Sequence, residues 1–374
     1  MDFTFPSDTL MLRDMLRRFL LKEARPLEMK YFQTGELDRQ EQARLRQAVQ
    51  QLGLWGLMVP EEFGGGGLDT VTACVIEEEL GTTFVPVEMG EISPILYACQ
   101  GEQVTRFLEP ALEGSRRAIM AAREPGLEGL EPESWGTTAV PTGDGFVLHG
   151  RKALSMAPTG EDFLVVFAKA PQGLSAFLVD SESAGLSIAR DGQVLLKLEG
   201  CHINQADTLG EPGQALHLGA GEAPRAWIRT GARYVGMGER LIEMAAEHAR
   251  TWVSLGAELS VRPAVRRMLA EMRVDVESAR WLVYHTAWLA DTNPAGGLRI
   301  PAAQVRLATG EMLRRAVDRT TMIFSGPGPS PQIDPHWLVR SLVSPQTLEA
   351  ALEFARQAIA AELLELETVE SGPG

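Results

Sequence analysis

The sequence predicts an α+β protein of several domains: a helical N-terminal domain, a middle β domain of barrel or sandwich type, and a C-terminal four-helix bundle. Two observations predict this order. Apolar residues recur every three or four positions towards both ends of the chain, and between these parts the sequence breaks into short apolar runs separated by glycine and proline. With 374 residues the chain exceeds the ~100–200 residues usual for one domain. We place the domains at 1–116, 117–223 and 224–374.

The N-terminal part has helical periodicity from about residue 8 to residue 112, with Leu12, Leu16 and Phe19 on one face. A glycine-rich turn at 59–69 interrupts it. Asp69 ends this turn, and an aspartate at that place can accept a hydrogen bond from the first free backbone N–H groups of a helix. The sequence therefore predicts a helix that begins just after Asp69.

The middle part, from about 117 to 222, consists of short runs rich in β-branched and aromatic residues. Asp144 followed by Gly145, and Asp191 followed by Gly192, are signals for tight turns between strands. We therefore expect strands joined as hairpins in this part.

Beyond residue 224 the helical pattern returns in four long stretches, at about 225–256, 259–292, 299–324 and 345–365. Proline or glycine stands at most of the breaks between them. Four long helices in sequence are typical of a bundle.

Composition restricts the possible functions. The chain has 50 acidic and 35 basic residues and a formal charge of −15, which argues against a nucleic-acid surface or attraction to an anionic membrane. It has neither a basic, apolar leader nor ~18 uninterrupted apolar residues, so we expect a cytoplasmic protein. The three cysteines, Cys74, Cys99 and Cys201, lie far apart, which predicts no disulfide and no metal site.

Six segments, in order along nearly the whole chain, resemble the acyl-CoA dehydrogenase family. They are the turn at 59–69 with the Glu-Glu-Leu-Gly that follows at 78–81, and the segments 123–126, 144–152, 206–213, 268–272 and 323–328. The resemblance implies a tetrameric flavoprotein in which FAD lies between the β domain and the helix bundle. It also implies desaturation of an acyl-CoA thioester: a carboxylate takes the α-proton, hydride passes from Cβ to the flavin, and an electron-transfer flavoprotein reoxidises the flavin.

The resemblance makes Glu349 the candidate catalytic base. The family glutamate lies nine residues after one arginine and seven before another, and Glu349 stands in this register between Arg340 and Arg356. Its neighbours Leu348 and Leu352 predict an apolar setting of the kind that raises the pKa of a carboxyl group.

A second interpretation of Glu349 stays open. After Pro345 it would lie in the first turns of the last helix, where the helix dipole favours a solvated negative charge without any catalytic role. The Gly-Thr pair that follows the family glutamate is Ala350 and Ala351 here.

For FAD, the resemblance names five candidate cofactor-binding residues in three family motifs. Ser155 keeps a hydroxyl of one motif, Pro125 and Gly126 belong to a second, and Gly326 and Gly328 keep glycines of the third.

Four other positions depart from the family pattern. Arg123 replaces a threonine that bonds the flavin ring, Ala153 replaces a tryptophan that covers its edge, and Met322 replaces a glutamine. Trp252 stands where the family has an arginine that pairs with the FAD pyrophosphate. Each lost charge-assisted hydrogen bond is typically worth ~1.5–3 kcal/mol, so these changes predict weakened FAD binding.

Three functions therefore follow from the sequence. The chain is an FAD-dependent acyl-CoA dehydrogenase with Glu349 as base, or a non-catalytic partner subunit that completes a heteromeric tetramer with an intact homologue. The third possibility is a flavin-dependent oxidase or monooxygenase on the same fold, which no residue specifically favours.

Overall fold

The computed structural model describes residues 4–125, 135–154, 156–191, 193–218, 222–293, 297–324 and 345–364. The described residues form two compact units. One is helical and combines the chain up to Met89 with the chain from Pro224, and the other contains the β-sheet and extends over Gly90–Ala223. We call them the helical unit and the β unit. The three predicted domains divide the sequence in another way, and their boundaries stay a prediction.

Nine α-helices occur in the described residues. They are α1 Ser7–Phe19, α2 Glu28–Thr34, α3 Arg39–Gln51, α4 Thr70–Gly81, α5 Glu109–Glu113, α6 Ala223–Thr251, α7 Pro263–Thr292, α8 Arg299–Phe324 and α9 Pro345–Leu363. All except α5 belong to the helical unit.

The first four helices of the helical unit surround a core that includes Leu16, Leu45 and Ile76. Asp69 caps α4, and its carboxylate accepts a hydrogen bond of 2.7 Å from the backbone N–H of Thr72, as predicted. The preceding turn requires glycine, because a Cβ at position 65 would lie 2.1 Å from the carbonyl oxygen of Val59.

The four C-terminal helices pack as a bundle around a large apolar core that includes Val235, Val276 and Leu313. Glycines at the contacts let the helices approach closely. A Cβ at Gly231 of α6 would lie 2.5 Å from a methyl group of Val305 on α8, and one at Gly310 of α8 would lie 2.5 Å from Leu352 on α9. These contacts confirm the predicted helical bundle.

The β unit contains eight strands: β1 Ala118–Ala121, β2 Thr138–Pro141, β3 Gly145–Leu154, β4 Phe163–Ala170, β5 Gly173–Asp180, β6 Leu186–Asp191, β7 Gln193–Asn204 and β8 Thr208–Leu209. They form one sheet in the order β6-β7-β3-β2-β4-β5-β8, with β1 beside β4. The helical, β and helical parts follow each other as predicted, so the α+β fold class is confirmed.

The two predicted turns lie next to paired strands. Asp144 immediately precedes β3, which pairs antiparallel with β2. The second turn includes Gly192, which lies outside the described residues, and the strands on its two sides, β6 and β7, pair antiparallel.

Cys74, Cys99 and Cys201 are all buried with free thiols. Among the helices that the structure describes, none is long and apolar enough to cross a membrane.

Candidate functional site

Glu349, the predicted base, lies on the second turn of α9 and faces solvent. Its side chain is 59% exposed, and its carboxylate accepts a hydrogen bond of 2.8 Å from Arg356 two turns further along the helix. Leu352, by contrast, is fully buried on the face that contacts α8. The predicted apolar setting is therefore wrong for the single chain: helical periodicity turns Glu349 away from the side that buries Leu352.

Arg356 is shared among three carboxylates. It donates to Glu349, to Glu311 of α8 at 2.7 Å, and to Glu353 at 3.4 Å. The hydrogen bond that Arg356 donates to Glu349 is the largest cause that raises the pKa of Arg356. Because two other acceptors remain, Arg356 can release Glu349 without losing all of its ion pairs.

Of the predicted flavin contacts, Gly126, Ser155, Gly326 and Gly328 lie outside the described residues. Pro125 is described and exposed. The structure therefore leaves the five predicted contacts as predictions.

Two of the positions that depart from the family pattern are neighbours in the β unit. The backbone N–H of Ala153 on β3 donates to the carbonyl oxygen of Arg123 at 2.8 Å. The side chain of Arg123 is exposed and has no polar partner among the described residues. The fold thus brings together the two segments that the resemblance places at the flavin ring.

A buried lysine connects these segments. Lys152 has no exposed side-chain surface, and its Nζ donates to the carbonyl oxygen of Ala122 and to Glu124 Oε1, both at 3.0 Å. The same Nζ lies 4.2 Å from the centre of the Trp135 ring. Glu124 also accepts from the backbone N–H groups of Gly136 and Thr137, at 2.6 and 2.8 Å.

The pKa values of this pair follow from its burial and its hydrogen bonds. Burial lowers the pKa of Lys152 to about 8, although Glu124 acts in the opposite direction. Burial acts to raise the pKa of Glu124, but hydrogen bonds from Thr137, Gly136 and Lys152 together lower it. The pair can be found from the sequence, because Glu124 and Lys152 adjoin Arg123 and Ala153, two positions that depart from the family pattern.

Trp252 takes part in an aromatic stack just beyond the end of α6. The ring of His248 stacks on Trp252 with centroids 5.4 Å apart, and on Phe324 of α8 at 4.2 Å. Burial lowers the pKa of His248, which favours a neutral ring. Its buried Nε2 has no hydrogen-bond partner in the described structure. The position therefore presents neutral aromatic rings, and Trp252 itself carries no charge.

A second group of polar residues lies between α4 and α7, and only its Glu78 belongs to a segment that carries the family resemblance. Tyr284 donates its hydroxyl to Glu78 Oε2 at 2.8 Å, and Arg280 donates to Glu78 Oε1 at 2.9 Å. Arg280 also donates to Glu239 at 2.5 Å. Burial raises the pKa of Glu78 against the effect of Arg280 and Tyr284. These bonds already engage both carboxylate oxygens of Glu78.

Comparison with known proteins decides the family. The model of the acyl-CoA dehydrogenase N-terminal domain matches residues 6–115, and that of the C-terminal domain matches residues 226–364. The chain belongs to the acyl-CoA dehydrogenase family. It is thus a member of a family of flavoprotein oxidoreductases that act on acyl-CoA.

Relatives of this acyl-CoA dehydrogenase family member match it from end to end. It is 28% identical to (R)-benzylsuccinyl-CoA dehydrogenase of Thauera aromatica, over 97% of each chain. The solved complex of glutaryl-coenzyme A dehydrogenase with glutaryl-CoA is similar in fold, with a TM-score of 0.84 and 22% identity, covering 100% of this chain and 99% of that one. The structure of PigA with FAD and proline has a TM-score of 0.79 at 20% identity, with 97% and 99% covered. The two structural likenesses establish the fold.

The described residues of this family member differ from the family's FAD contacts at two places. At the segments assigned to the flavin ring, Arg123 is an exposed cation and Ala153 a small side chain, where the family pattern has a threonine and a tryptophan. The position assigned to the pyrophosphate does not fit in the family manner, because Trp252 is stacked on neutral rings and supplies no charge.

Proposed function

We propose that this chain acts as an acyl-CoA dehydrogenase that introduces an α,β double bond into an acyl-CoA thioester with FAD as cofactor. The observation that carries the proposal is the match to a dehydrogenase over 97% of each chain, together with both family domains. Benzylsuccinyl-CoA and glutaryl-CoA, for which two compared proteins are named, are thioesters of dicarboxylic acids. The proposed substrates therefore include acyl groups with a second carboxylate.

In the proposed reaction Glu349 takes the α-proton of the thioester. Its Oε1 must first give up the hydrogen bond from Arg356, which Glu311 and Glu353 can continue to hold. FAD, when bound, supplies the acceptor for the hydride from Cβ. Withdrawal of substrate from water would strengthen the electrostatic interactions of the developing enolate. We further propose an electron-transfer flavoprotein as electron acceptor and a tetrameric assembly.

The test combines flavin content with desaturation. The purified chain is expected to show flavin absorbance and to convert an acyl-CoA to the enoyl-CoA when an artificial electron acceptor is present. Glu349→Gln should lower kcat at least ~10²-fold, the usual scale for loss of a general base, and leave flavin absorbance unchanged. Glu353→Gln on the same helix, also bonded to Arg356, is the matched control and should keep activity.

Two results would contradict the proposal. One is full activity in Glu349→Gln. The other is a colourless, inactive chain that acquires flavin only when a homologous chain is produced with it, as a non-catalytic partner subunit would.

A further inference from the structure

Arg306 of α8 occupies an unusual place in the helical unit. Its guanidinium carbon lies 4.9 Å from the centre of the Trp227 ring on α6. The edge of that ring is fixed against Phe354 of α9, with centroids 5.6 Å apart and planes at 77°. Gly231, one turn beyond Trp227, lets α8 approach α6 closely enough for this stacking. Three helices thus hold the cation in one orientation.

No carboxylate or carbonyl pairs with this guanidinium among the described residues. The arginines in the second half of α8 differ from Arg306: Arg314 pairs with Glu311 at 2.8 Å, and Arg315 and Arg319 pair with Asp275 at 3.0 and 2.6 Å. Arg306 is partly buried all the same, and this burial lowers its pKa.

A second donor lies close by without a partner. The hydroxyl of Tyr234, two turns beyond Trp227 on α6, makes no hydrogen bond within the described part of the chain. Burial raises the pKa of Tyr234, and the charge of Arg306 acts to lower it. Thr309, on the next turn of α8, is already engaged, because its hydroxyl donates to the carbonyl oxygen of Val305 at 2.8 Å. Arg306 and Tyr234 therefore each keep a donor without an acceptor among the described residues.

A half-buried cation without a counter-ion loses part of its hydration, and no ion pair compensates for that loss. A bound oxyanion would supply the missing ion pair. A guanidinium offers planar, paired N–H donors that match a carboxylate or a phosphate, and a phenol adds a third. Neither side chain is fully buried, so solutes can reach both.

We propose that Arg306 and Tyr234 form a binding site for an oxyanion of the acyl-CoA ligand, a carboxylate of its acyl group or a phosphate of its coenzyme A. The assignment to acyl-CoA rests on the proposed function. Arg306 lies five residues before Glu311 on α8, about 7.5 Å along the helix axis. Glu311 shares Arg356 with Glu349, so the same helix carries both this site and a residue that contacts the partner of the predicted base.

The experiment measures Kd by titration calorimetry for three probes: coenzyme A, butyryl-CoA and glutaryl-CoA. Wild type is compared with Arg306→Met, Arg306→Lys and Tyr234→Phe. Arg267→Met is the control for removal of a charge, because Arg267 is 75% exposed on α7 with only a 3.8 Å pair to Glu271. Thermal shifts with inorganic phosphate and with succinate test the site in the absence of any thioester.

For an acyl carboxylate, Arg306→Met weakens glutaryl-CoA binding ~10–100-fold and leaves the other two probes unchanged. For a phosphate, it weakens all three equally. Arg306→Lys restores part of the affinity, and Arg267→Met keeps all of it. Without anions, Arg306→Met should have the same Tm as wild type or a higher one. If Arg306 were purely structural, its replacement would lower the Tm.

Two failures are distinguishable. If wild type binds no thioester but succinate or phosphate raises its Tm and not that of Arg306→Met, the proposed function fails and the oxyanion site stands. If Arg306→Met responds to every probe and anion as wild type does, the site is overturned, whatever the chain catalyses.

Discussion

Two cations among the described residues lie over tryptophan rings, one in each unit, and they differ in what else surrounds them. Lys152 lies 4.2 Å from Trp135 and also has Glu124 and a backbone carbonyl as partners. Arg306 lies 4.9 Å from Trp227 and has no such partner in the part of the chain that the structure describes. A buried charge with a full set of hydrogen bonds is part of the architecture, whereas one without them is a candidate for binding a ligand.

The largest effect is expected for Lys152→Met. This change leaves the Glu124 carboxylate in a largely buried place with two backbone donors but no counter-charge. Removal of one partner of a buried pair typically costs about 3–5 kcal/mol of unfolding free energy. Urea unfolding measures it, and the double variant Glu124→Gln, Lys152→Met should recover part of the loss. If Lys152→Met lowered the unfolding free energy by less than about 1 kcal/mol, Lys152 would not differ from Arg306 in its contribution to stability.

Trp252 tests the opposite situation, a tryptophan where the family pattern has a cation. Trp252→Arg adds a charged donor where the pyrophosphate is expected, and should tighten FAD binding ~10–100-fold, the effect of one charge-assisted hydrogen bond. Flavin fluorescence quenching measures the Kd. Trp252→Gln, which removes the ring without adding a charge, serves as control. Equal effects of the two variants would show that the charge is not what this position lacks.

The pH dependence of stability separates the two cations further. The pKa of Lys152 is about 8 in the folded chain and about 10.4 when unfolded. Between these values the unfolded chain binds more protons, so the contribution of Lys152 to the unfolding free energy rises with pH by about 1–3 kcal/mol in total. The difference between wild type and Lys152→Met should therefore change from pH 8 to 10.5. A difference that is flat over this range would contradict the burial of a charged Lys152.

The smallest effect is expected for Arg306→Met without anions. Methionine can keep contact with the Trp227 ring, and the loss of the cation–π interaction of about 0.5–1 kcal/mol is offset by removal of an unpaired charge. The unfolding free energy should change by less than about 1 kcal/mol at any pH from 6 to 10. A loss as large as that of Lys152→Met would show that Arg306 is structural after all.

The sequence predicted the fold well because periodicity and capping are local. The repeat of apolar residues marked α6 to α9 to within a few residues, and Asp69 marked the start of α4. For the candidate site, the sequence predicted which segments take part but not which residues contact each other. Arg123 and Ala153 were identified separately, and the hydrogen bond between β3 and the backbone of Arg123 is what joins them.

The sequence by itself thus determined the order of helical and β parts, the family, and which positions depart from its pattern. Only the tertiary structure decided that Glu349 faces solvent beside Arg356, that Lys152 has partners, and that Arg306 has none in the described chain. The physical reason is that the charge of a residue is a property of its own side chain. Its burial and its hydrogen-bond partners, by contrast, depend on elements that are distant in the sequence. Trp227 lies 79 positions before Arg306, and no local pattern connects the two.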